Sequence, residues 1–325
     1  MTIESLSTLV ILLISWILLT ILNVSVSGIL HFMTSISFRK AFLWGLLSLA
    51  SPPVMMLYGI LIERNIYKVN DLEIAFKDLP VEFDGYRIVH ISDIHARSFG
   101  NRPEQLKKAV DKINGLKPDL IAFTGDLITM NSSELDGVSE ILGSLKAKDG
   151  VMSVLGNHDY CIYSDPKIKE KDSVDNLITK ERALGWNLLL DESMIISRGL
   201  DSIAVVGVEN TTPSDHFPSK GDLEKAGKGT EGMFRILLSH DPMHWEMEVI
   251  GKGYPLMLSG HTHAMQFTLF GWKPSKYIFR QHSGHYVKDS CHLYVNIGLG
   301  ETIIPIRIGA MPEITLLTLK TGNNH

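Results

Sequence analysis

The chain begins with two long stretches in which apolar residues follow one another almost without a polar break. No Asp, Glu, Lys or Arg occurs over residues 5–38, and a second uncharged run covers residues 41–62. Runs of this length and composition can cross a bilayer as helices, and the Pro52-Pro53 pair in the second is tolerated there. The pattern predicts a transmembrane hairpin, with spans at about 9–30 and 41–62, in a multi-pass cell-membrane protein.

A cleaved signal peptide is the alternative interpretation of the first run. Its leader, MTIESLST, contains Glu4 and no basic residue, whereas a signal peptide begins with a positively charged region. The sequence therefore favours an anchor over residues 1–65. Arg39 and Lys40 lie between the spans while Arg64 and Lys68 follow the second, so the basic residues do not decide which compartment the remaining domain faces.

Beyond residue 65, short apolar runs alternate with polar clusters, which predicts one domain over 66–320. Five runs end in such clusters: YRIVHI before SDIH, DLIAF before TGD, VMSVL before GNHD, FRILL before SHD, and YPLML before SGHTH. Apolar residues recur at helical spacing in NRPEQLKKAVDKINGLKP and again over 133–145. Alternating strands and helices are typical of an α/β sheet with sites at its strand ends, so we expect the five clusters at one edge.

The pattern changes after about residue 186, where strand-like runs follow one another with little helix. These runs, NLLL, MIIS, SIAVVGV, HLYVNIG and EITLLTL, predict a second sheet packed on the first. The polar stretch 215–232 is expected to be a solvated excursion.

Composition narrows the class of protein. The chain has 325 residues, of which 45% are hydrophobic, and only two cysteines, which allows a large core and argues against a disulfide scaffold. Its formal charge of −5 and the lack of a long basic run argue against a nucleic-acid partner, because such binding requires the neutralisation of many phosphates.

Nitrogen and oxygen donors accumulate in the five polar clusters. Apart from His158, seven of them are candidate ligands: Asp93, His95, Asp126, Asn157, His240, His261 and His263. Any one of them alone is more typical of an ordinary surface residue, but seven exceed the four ligands of a tetrahedral zinc and fit two ions that share a carboxylate. Imidazole, carboxylate and amide donors suit Mn²⁺, Fe or Zn²⁺. Cys161 and Cys291 fall outside the pattern.

The same clusters resemble the motifs of the calcineurin-like metallophosphoesterase family. D-x-H, G-D, G-N-H-[D/E], a single His and G-H-x-H are matched at residues 93–95, 125–126, 156–159, 240 and 260–263. The C-terminal NIGLGETIIPIRIGAMPEITLLTL and the membrane segment are similar to the bacterial membrane-associated branch. The resemblance implies an α/β fold, a sandwich of two mixed β-sheets flanked by helices, here preceded by the transmembrane hairpin.

The resemblance also implies a role for each donor. The implied ligands are Asp93, His95 and His263 for one divalent ion, Asn157, His240 and His261 for a second, and Asp126 as the bridge. A carboxylate suits a bridge because it offers two oxygens, and a hydroxide shared by the ions would attack phosphorus. His158 is the candidate catalytic residue, a general acid for the leaving oxygen that Asp159 would orient; the alternative is an outer-sphere residue that positions phosphate.

Two features bear on the substrate. Residues 267–280, FTLFGWKPSKYIFR, mix aromatic and basic side chains, which is typical of a bilayer interface or of a hairpin that buries its aromatics. Beside an anchor, they favour a phosphoester or pyrophosphate in a lipid-linked substrate, such as the UDP-diacylglucosamine that some relatives cleave. The alternatives are soluble phosphodiesters, with the anchor serving only for localisation, and a non-catalytic metal-bound scaffold.

Four positions near the motifs carry smaller expectations. Many members of the bacterial branch have two glycines after the last histidine, where this chain has Ala264 and Met265, so its loop is bulkier. His90 is expected in the core or beside a ligand rather than as a ligand itself. Arg97 is expected on the surface, and contact with a phosphate oxygen is the alternative.

Overall fold

The computed structural model describes residues 3–164 and 173–322, so the first two residues of the predicted anchor and part of the predicted domain lie outside it. Helix α1 (Ile3–Met33) runs beside a second helical stretch formed by α2 (Phe38–Gly45), a 3₁₀ turn and α3 (Ser51–Leu61). Leu6–Met33 and Phe38–Asn65 are long and apolar enough to span a membrane. The predicted spans lie within them, and the proline pair begins α3 after the 3₁₀ turn.

Twelve strands form two six-stranded mixed sheets in the described part of the chain. The first contains β1 (Lys68–Phe76), β2 (Arg87–Ile91), β3 (Leu120–Phe123), β4 (Val151–Ser153), β5 (Asn187–Leu188) and β12 (Glu313–Thr321), in the order β1-β12-β2-β3-β4-β5. The second contains β6 (Glu192–Arg198), β7 (Asp201–Gly207), β8 (Phe234–Leu238), β9 (Leu256–Ser259), β10 (Gly284–Lys288) and β11 (Cys291–Val295), in the order β10-β11-β9-β8-β7-β6.

The two sheets pack face to face through a shared apolar layer. Ile88 and Leu120 of the first sheet belong to the same buried cluster as Ile236 and Leu256 of the second. Helix α4 (Pro103–Gly115) covers the outer face of the first sheet, since its residue Leu106 is buried there with strand residues of that sheet. The predicted sandwich of two mixed sheets is therefore confirmed.

Several expectations about individual elements are wrong. The clusters that follow β2, β3 and β4 belong to the first sheet and those that follow β8 and β9 to the second, so one edge does not carry all five. Strands β5 and β12 lie in the first sheet, although their runs predicted the second. Strand β12 returns there because it pairs in parallel with β1 and antiparallel with β2.

Two predicted segments also fold differently. Residues 133–145 form a 3₁₀ turn, Ser132–Leu135, and the short α5 (Ser139–Leu142), with Gly137 between them, since glycine weakens a helix. The polar stretch 215–232 is not wholly solvated, because α7 (Leu223–Ala226) buries Leu223 against the second sheet. The remaining helix, α6 (Val174–Ala183), packs its Leu177 in the core over the first sheet.

Candidate active site

The loops that follow five strands of the two sheets bring all seven predicted donors together. In two groups of three, the candidate ligand atoms lie within 4.8 Å of one another. These groups are Asp93, His95 and His263, and Asp126, His240 and His261. Asn157 joins the second group, because its Oδ1 lies 2.8 Å from Nδ1 of His261 and 3.1 Å from Nε2 of His240.

The first group is fully buried and compact. Nε2 of His95 lies 3.1 Å from Nε2 of His263, which in turn lies 3.2 Å from Oδ1 of Asp93. Two imidazole nitrogens and a carboxylate oxygen thus converge on one small volume.

Hydrogen bonds outside the second group orient its histidines. Nδ1 of His240 donates to the carbonyl of Thr124 at 2.7 Å, so that Nε2 presents its lone pair toward Nδ1 of His261 at 3.2 Å. Nε2 of His261 faces the buried carboxylate of Asp241 at 3.8 Å. Asp241 was not predicted as part of the site, although it directly follows His240 in the sequence.

Asp126 lies between the two groups, and it does so through a single oxygen. Its Oδ2 is 3.3 Å from Nε2 of His240 and 3.7 Å from Nε2 of His95. Its Oδ1 accepts the backbone N–H of His158 at 2.8 Å. The backbone thus orients one oxygen of Asp126, while the other oxygen faces histidines of both groups.

The donor atoms fit divalent cations. With ligand bonds of about 2.0–2.2 Å, neighbouring ligands on one ion are separated by roughly 3 Å, which is the spacing within both groups. The electrostatics agree: although burial opposes it, the charge of Asp126 raises the pKa of His240 to about 10, whereas burial lowers the pKa of His95 to about 3. His95 therefore keeps a free nitrogen lone pair, whereas the raised pKa of His240 shows that Asp126 favours positive charge at this position, which a bound cation would also supply.

The candidate ligands are held in an unusual backbone conformation. Five of them are left-handed, with φ between 44° and 74°: Asp93, His95, Asp126, His261 and His263. Residues without a glycine's freedom adopt this region rarely, and functional sites are where it concentrates. The same conformation continues through Ala264 (φ 48°) and Met265 (φ 54°), where two glycines would be unstrained.

Two glycines make room for the carboxylates. A Cβ on Gly156 would overlap the carboxylate of Asp126, and a Cβ on Gly260 would overlap Oγ of Ser92 and Oδ2 of Asp93. Glycine stands at these motif positions because a side chain would displace a candidate ligand.

His158 lies beside the centre with one ring nitrogen fixed. Its Nδ1 is 2.8 Å from the carbonyl oxygen of Thr129, which can only accept, so Nδ1 carries a proton and Nε2 remains for exchange. The expectation that Asp159 orients this ring is wrong. The Asp159 carboxylate instead accepts backbone N–H groups, from Asp126 and Gly156 at 2.8 Å each and from Ile128 at 3.1 Å, and so ties two motif loops together.

An aromatic wall beside His158 was missed by sequence reasoning. The His158 ring lies 5.2 Å from the ring of Tyr163 and 6.3 Å from that of Phe217, and His216 packs on both of these aromatic residues. No sequence spacing joins these positions, because the two segments that carry them meet only in the folded chain.

The expectations for two smaller positions hold. His90 is fully buried, with its Nε2 2.9 Å from Oγ1 of Thr124. Arg97 is exposed and its guanidinium lies 2.7 Å from the sulfur of Met130.

Known proteins share both the motifs and most of the chain. Residues 86–265 match the family model of the calcineurin-like phosphoesterases. The chain is 32% identical to metallophosphoesterase YkuE of Bacillus subtilis, over 82% of this chain and 90% of that protein. A transmembrane protein with metallophosphoesterase domain of Danio rerio is 31% identical, over 87% of this chain and 63% of its own length.

A further relative has a named substrate. UDP-2,3-diacylglucosamine pyrophosphatase LpxG of Chlamydia trachomatis is 28% identical, over 83% of this chain and 94% of that protein. The two apolar helices and the transmembrane relative indicate membrane association. The family match over more than half of the chain shows that this protein belongs to the calcineurin-like phosphoesterases and is a metal-dependent phosphoester hydrolase.

Proposed function

We propose that this protein is a multi-pass, membrane-anchored hydrolase with two metal ions that cleaves a phosphoester or pyrophosphate bond in a lipid-linked substrate. The convergence of seven donors on both sides of Oδ2 of Asp126 carries the proposal for the reaction. The position of the anchor beside the loop that follows His263 supports the proposal for the substrate.

The proposed ligands are the seven donors in the grouping that the sequence implies. Two divalent ions, Mn, Fe or Zn, would activate water and stabilise charge on the phosphoryl oxygens. The protein's own contribution is to fix the donors: the Thr124 carbonyl holds the His240 tautomer, and the His158 backbone N–H holds one oxygen of Asp126.

His158 is proposed as the general acid. Because Thr129 holds Nδ1–H, the proton on Nε2 of the imidazolium is the one that can pass to the leaving oxygen. His158→Asn should therefore slow esters with poor leaving groups far more than esters with good ones. A uniform loss across a series of leaving groups would instead assign His158 to positioning the phosphate.

The second membrane helix meets the domain next to the site. A Cβ on Gly59 would touch the side chains of Ile306 and Ile308, so this helix packs directly on that segment. The carbonyl of Ile308 accepts the N–H of Thr268 at 2.7 Å, and Thr268 lies only five residues after His263. An unbroken series of contacts thus joins the anchor to the loop of the candidate centre.

Three of the five aromatic side chains in residues 267–280 are exposed, namely Phe270, Trp272 and Tyr277, whereas Phe267 and Phe279 are half-buried. Leu269 and Trp272 exchange backbone hydrogen bonds of 3.0 and 2.8 Å, forming a tight hairpin with Phe270 and Gly271 at its tip. Phe270 is fully exposed and Trp272 half-exposed, so the alternative in which this hairpin buries its aromatics does not describe them. Exposed aromatic rings close to a membrane helix are suited to the bilayer interface, which supports a substrate drawn from the lipid.

A comparison of substrates tests the proposal. Purified full-length protein with Mn²⁺ or Zn²⁺ should hydrolyse a lipid-linked pyrophosphate in detergent faster than a soluble aryl phosphodiester. His261→Ala should abolish both activities, whereas His285→Ala, an exposed histidine on β10, should keep both. Activity that survives His261→Ala would refute the site, and a preference for the soluble ester would favour the alternative in which the anchor serves only for localisation. Absence of metal-dependent turnover on any ester would favour the alternative of a non-catalytic metal-bound scaffold.

A further inference from the structure

Gln266, three residues after the last candidate ligand, is held at both polar atoms of its side chain. Its Nε2 donates to the carbonyls of Ile304 and Ile306 at 2.9 and 3.0 Å. Its Oε1 accepts the N–H of Thr302 at 2.7 Å. The side chain is buried, so these bonds replace the ones that it would make to water in the unfolded chain. Gln266 therefore fixes the loop of the last motif to the C-terminal part of the domain.

The backbone of Gln266 adds to this attachment. Its carbonyl accepts the N–H of Ile308 at 3.0 Å, and its φ of 56° is left-handed. A residue with a side chain adopts this conformation only where the surrounding contacts hold it. The hydrogen bonds of Gln266 to residues 302–308 are contacts of this kind.

The segment held in this way belongs to the C-terminal strap, residues 298–308, which also lies against the first group of candidate ligands. The N–H of Gly300 donates to the carbonyl of Asp93 at 2.8 Å. A Cβ on Gly298 would come within 2.7 Å of Cβ of Asp93 and 3.3 Å of Nδ1 of His263. The strap thus contacts two of the three candidate ligands of that group.

The same strap packs on the second membrane helix. A Cβ on Gly59 would come within 2.7 Å of the Ile306 side chain and 2.8 Å of the Arg307 carbonyl, so the helix leaves no room for a side chain there. The buried guanidinium of Arg307 donates to the carbonyls of Gly298 and Gly300 at 3.1 and 2.5 Å. Because the guanidinium ties the two ends of the strap together, a shift at the helix would also move the glycines beside the first group.

We propose that Gln266 is a positioning residue that couples the membrane anchor to the binding of the ion held by Asp93, His95 and His263. The inference rests on the proposed function, because it concerns one of the two ions of that centre. Gln266 is not among the candidate ligands. It acts by keeping His263 and the strap in one arrangement against the helix, so the anchor contributes to the centre as well as to localisation.

Metal retention by the full-length protein in detergent tests the positioning role. Equilibrium dialysis against a series of Mn²⁺ concentrations gives the number of ions bound per chain and the affinity of each. Gln266→Met keeps the length of the side chain but loses its hydrogen bonds. It should weaken one ion by about tenfold to a hundredfold, the usual effect of losing a group that holds a ligand in place, and leave the other within about twofold. Gln105→Met, on α4, is the matched control and should retain both ions as the parent does. Equal retention in the parent and Gln266→Met would overturn the proposal.

Gly59→Ala tests the coupling from the membrane side. Its added methyl group would displace the strap, so it should weaken the same ion as Gln266→Met does. Gly28→Ala, on α1, is the matched control, because a Cβ there meets no atom of the described chain within 4 Å. In the double variant, the loss of affinity should be smaller than the product of the two single losses, since both changes act through one strap. Unchanged affinity in Gly59→Ala, or losses that multiply in the double variant, would overturn the proposal.

Amide hydrogen exchange separates the positioning role from a general loss of the fold. In Gln266→Met, a peptide over residues 299–308 should exchange faster, because the N–H of Thr302 loses its acceptor, while β3 and β9 keep the protection of the parent. Faster exchange in those strands, together with loss of both ions, would overturn the proposal by showing a purely structural role. A parent that retains no ion would refute the proposed function together with this inference. A parent with two ions beside unaffected variants would overturn the inference alone.

Discussion

The candidate centre and the membrane-side face, meaning the hairpin 269–272 and the pocket lined by Arg64, Arg102 and Glu301, are adjacent but built in opposite ways. In the centre, buried donors are fixed by backbone hydrogen bonds and by left-handed backbone, as at Asp126. On the face, side chains such as Phe270 are open to the surroundings. From this difference we expect the centre to determine which reaction takes place and the face to influence which substrates arrive.

The largest effect should come from the centre. Asp126→Asn removes the negative charge between the two groups and so weakens their hold on the metal ions. Turnover should therefore fall by about a thousandfold, which corresponds to roughly 4 kcal/mol of transition-state stabilisation. The loss should be the same for lipid-linked and soluble esters, measured as kcat for each. Asp111→Asn, on the exposed side of α4, is the control. A loss of turnover confined to lipid-linked esters would contradict the assignment of the reaction to the centre.

The centre could be predicted from the sequence, whereas of the face only the aromatic hairpin could be and the pocket could not. D-x-H and G-H-x-H are short motifs whose members lie on single loops, so Asp93 and His263 are recognisable without a fold. Arg64, Arg102 and Glu301 meet only because a membrane helix, a helix start and a C-terminal loop converge. The prediction that all five clusters lie at one edge of a single sheet was wrong for the same reason, because the sheet to which a strand belongs depends on long-range pairing.

The next largest effect should come from Glu181, a buried carboxyl of α6, and should concern the stability of the fold rather than turnover. Burial raises the pKa of Glu181 to about 7, and the charge of Arg182 lowers it only in part. The folded protein therefore holds this proton more tightly than the unfolded chain, and stability falls as pH rises from about 4.5 to 7. Glu181→Gln should be more stable than the parent at pH 8, by at most about 3 kcal/mol, and nearly equal at pH 4.5.

Thermal unfolding at the two pH values measures this difference. The ratio of lipid-linked to soluble turnover should stay unchanged in Glu181→Gln, because the residue touches neither the centre nor the face. A stabilisation of the same size at both pH values would contradict the assignment of the effect to the buried carboxyl.

Substitutions in the face should have a smaller effect on turnover, and only on turnover of lipid-linked esters. Replacing Phe270 and Trp272 by Ser removes two aromatic rings from the hairpin, which should reduce turnover of a lipid-linked ester in vesicles by about tenfold. Hydrolysis of a soluble ester should not change. Leu200→Ser, at an equally exposed turn between β6 and β7, is the matched control. Equal losses of turnover on both esters would show that the hairpin does not act selectively on lipid-linked substrates.

The smallest effect concerns the loop that joins the two regions. Met265 adopts φ 54°, so Met265→Gly should relieve strain and raise the free energy of unfolding by about 1 kcal/mol or less. Met247→Gly, at an exposed helical position, should instead lower it by about 1 kcal/mol. Thermal unfolding of both variants measures the contrast, and destabilisation of the two by equal amounts would argue against strain in this loop.

Titration of turnover against bound metal tests the central claim most directly. The hydrolysis rate of a soluble phosphodiester is followed as Mn²⁺ or Zn²⁺ is added to full-length protein, together with the number of ions retained per chain. Seven donors in two groups that share Asp126 predict that the rate reaches its maximum at two ions per chain. Saturation at one ion, or full turnover without metal, would contradict the account.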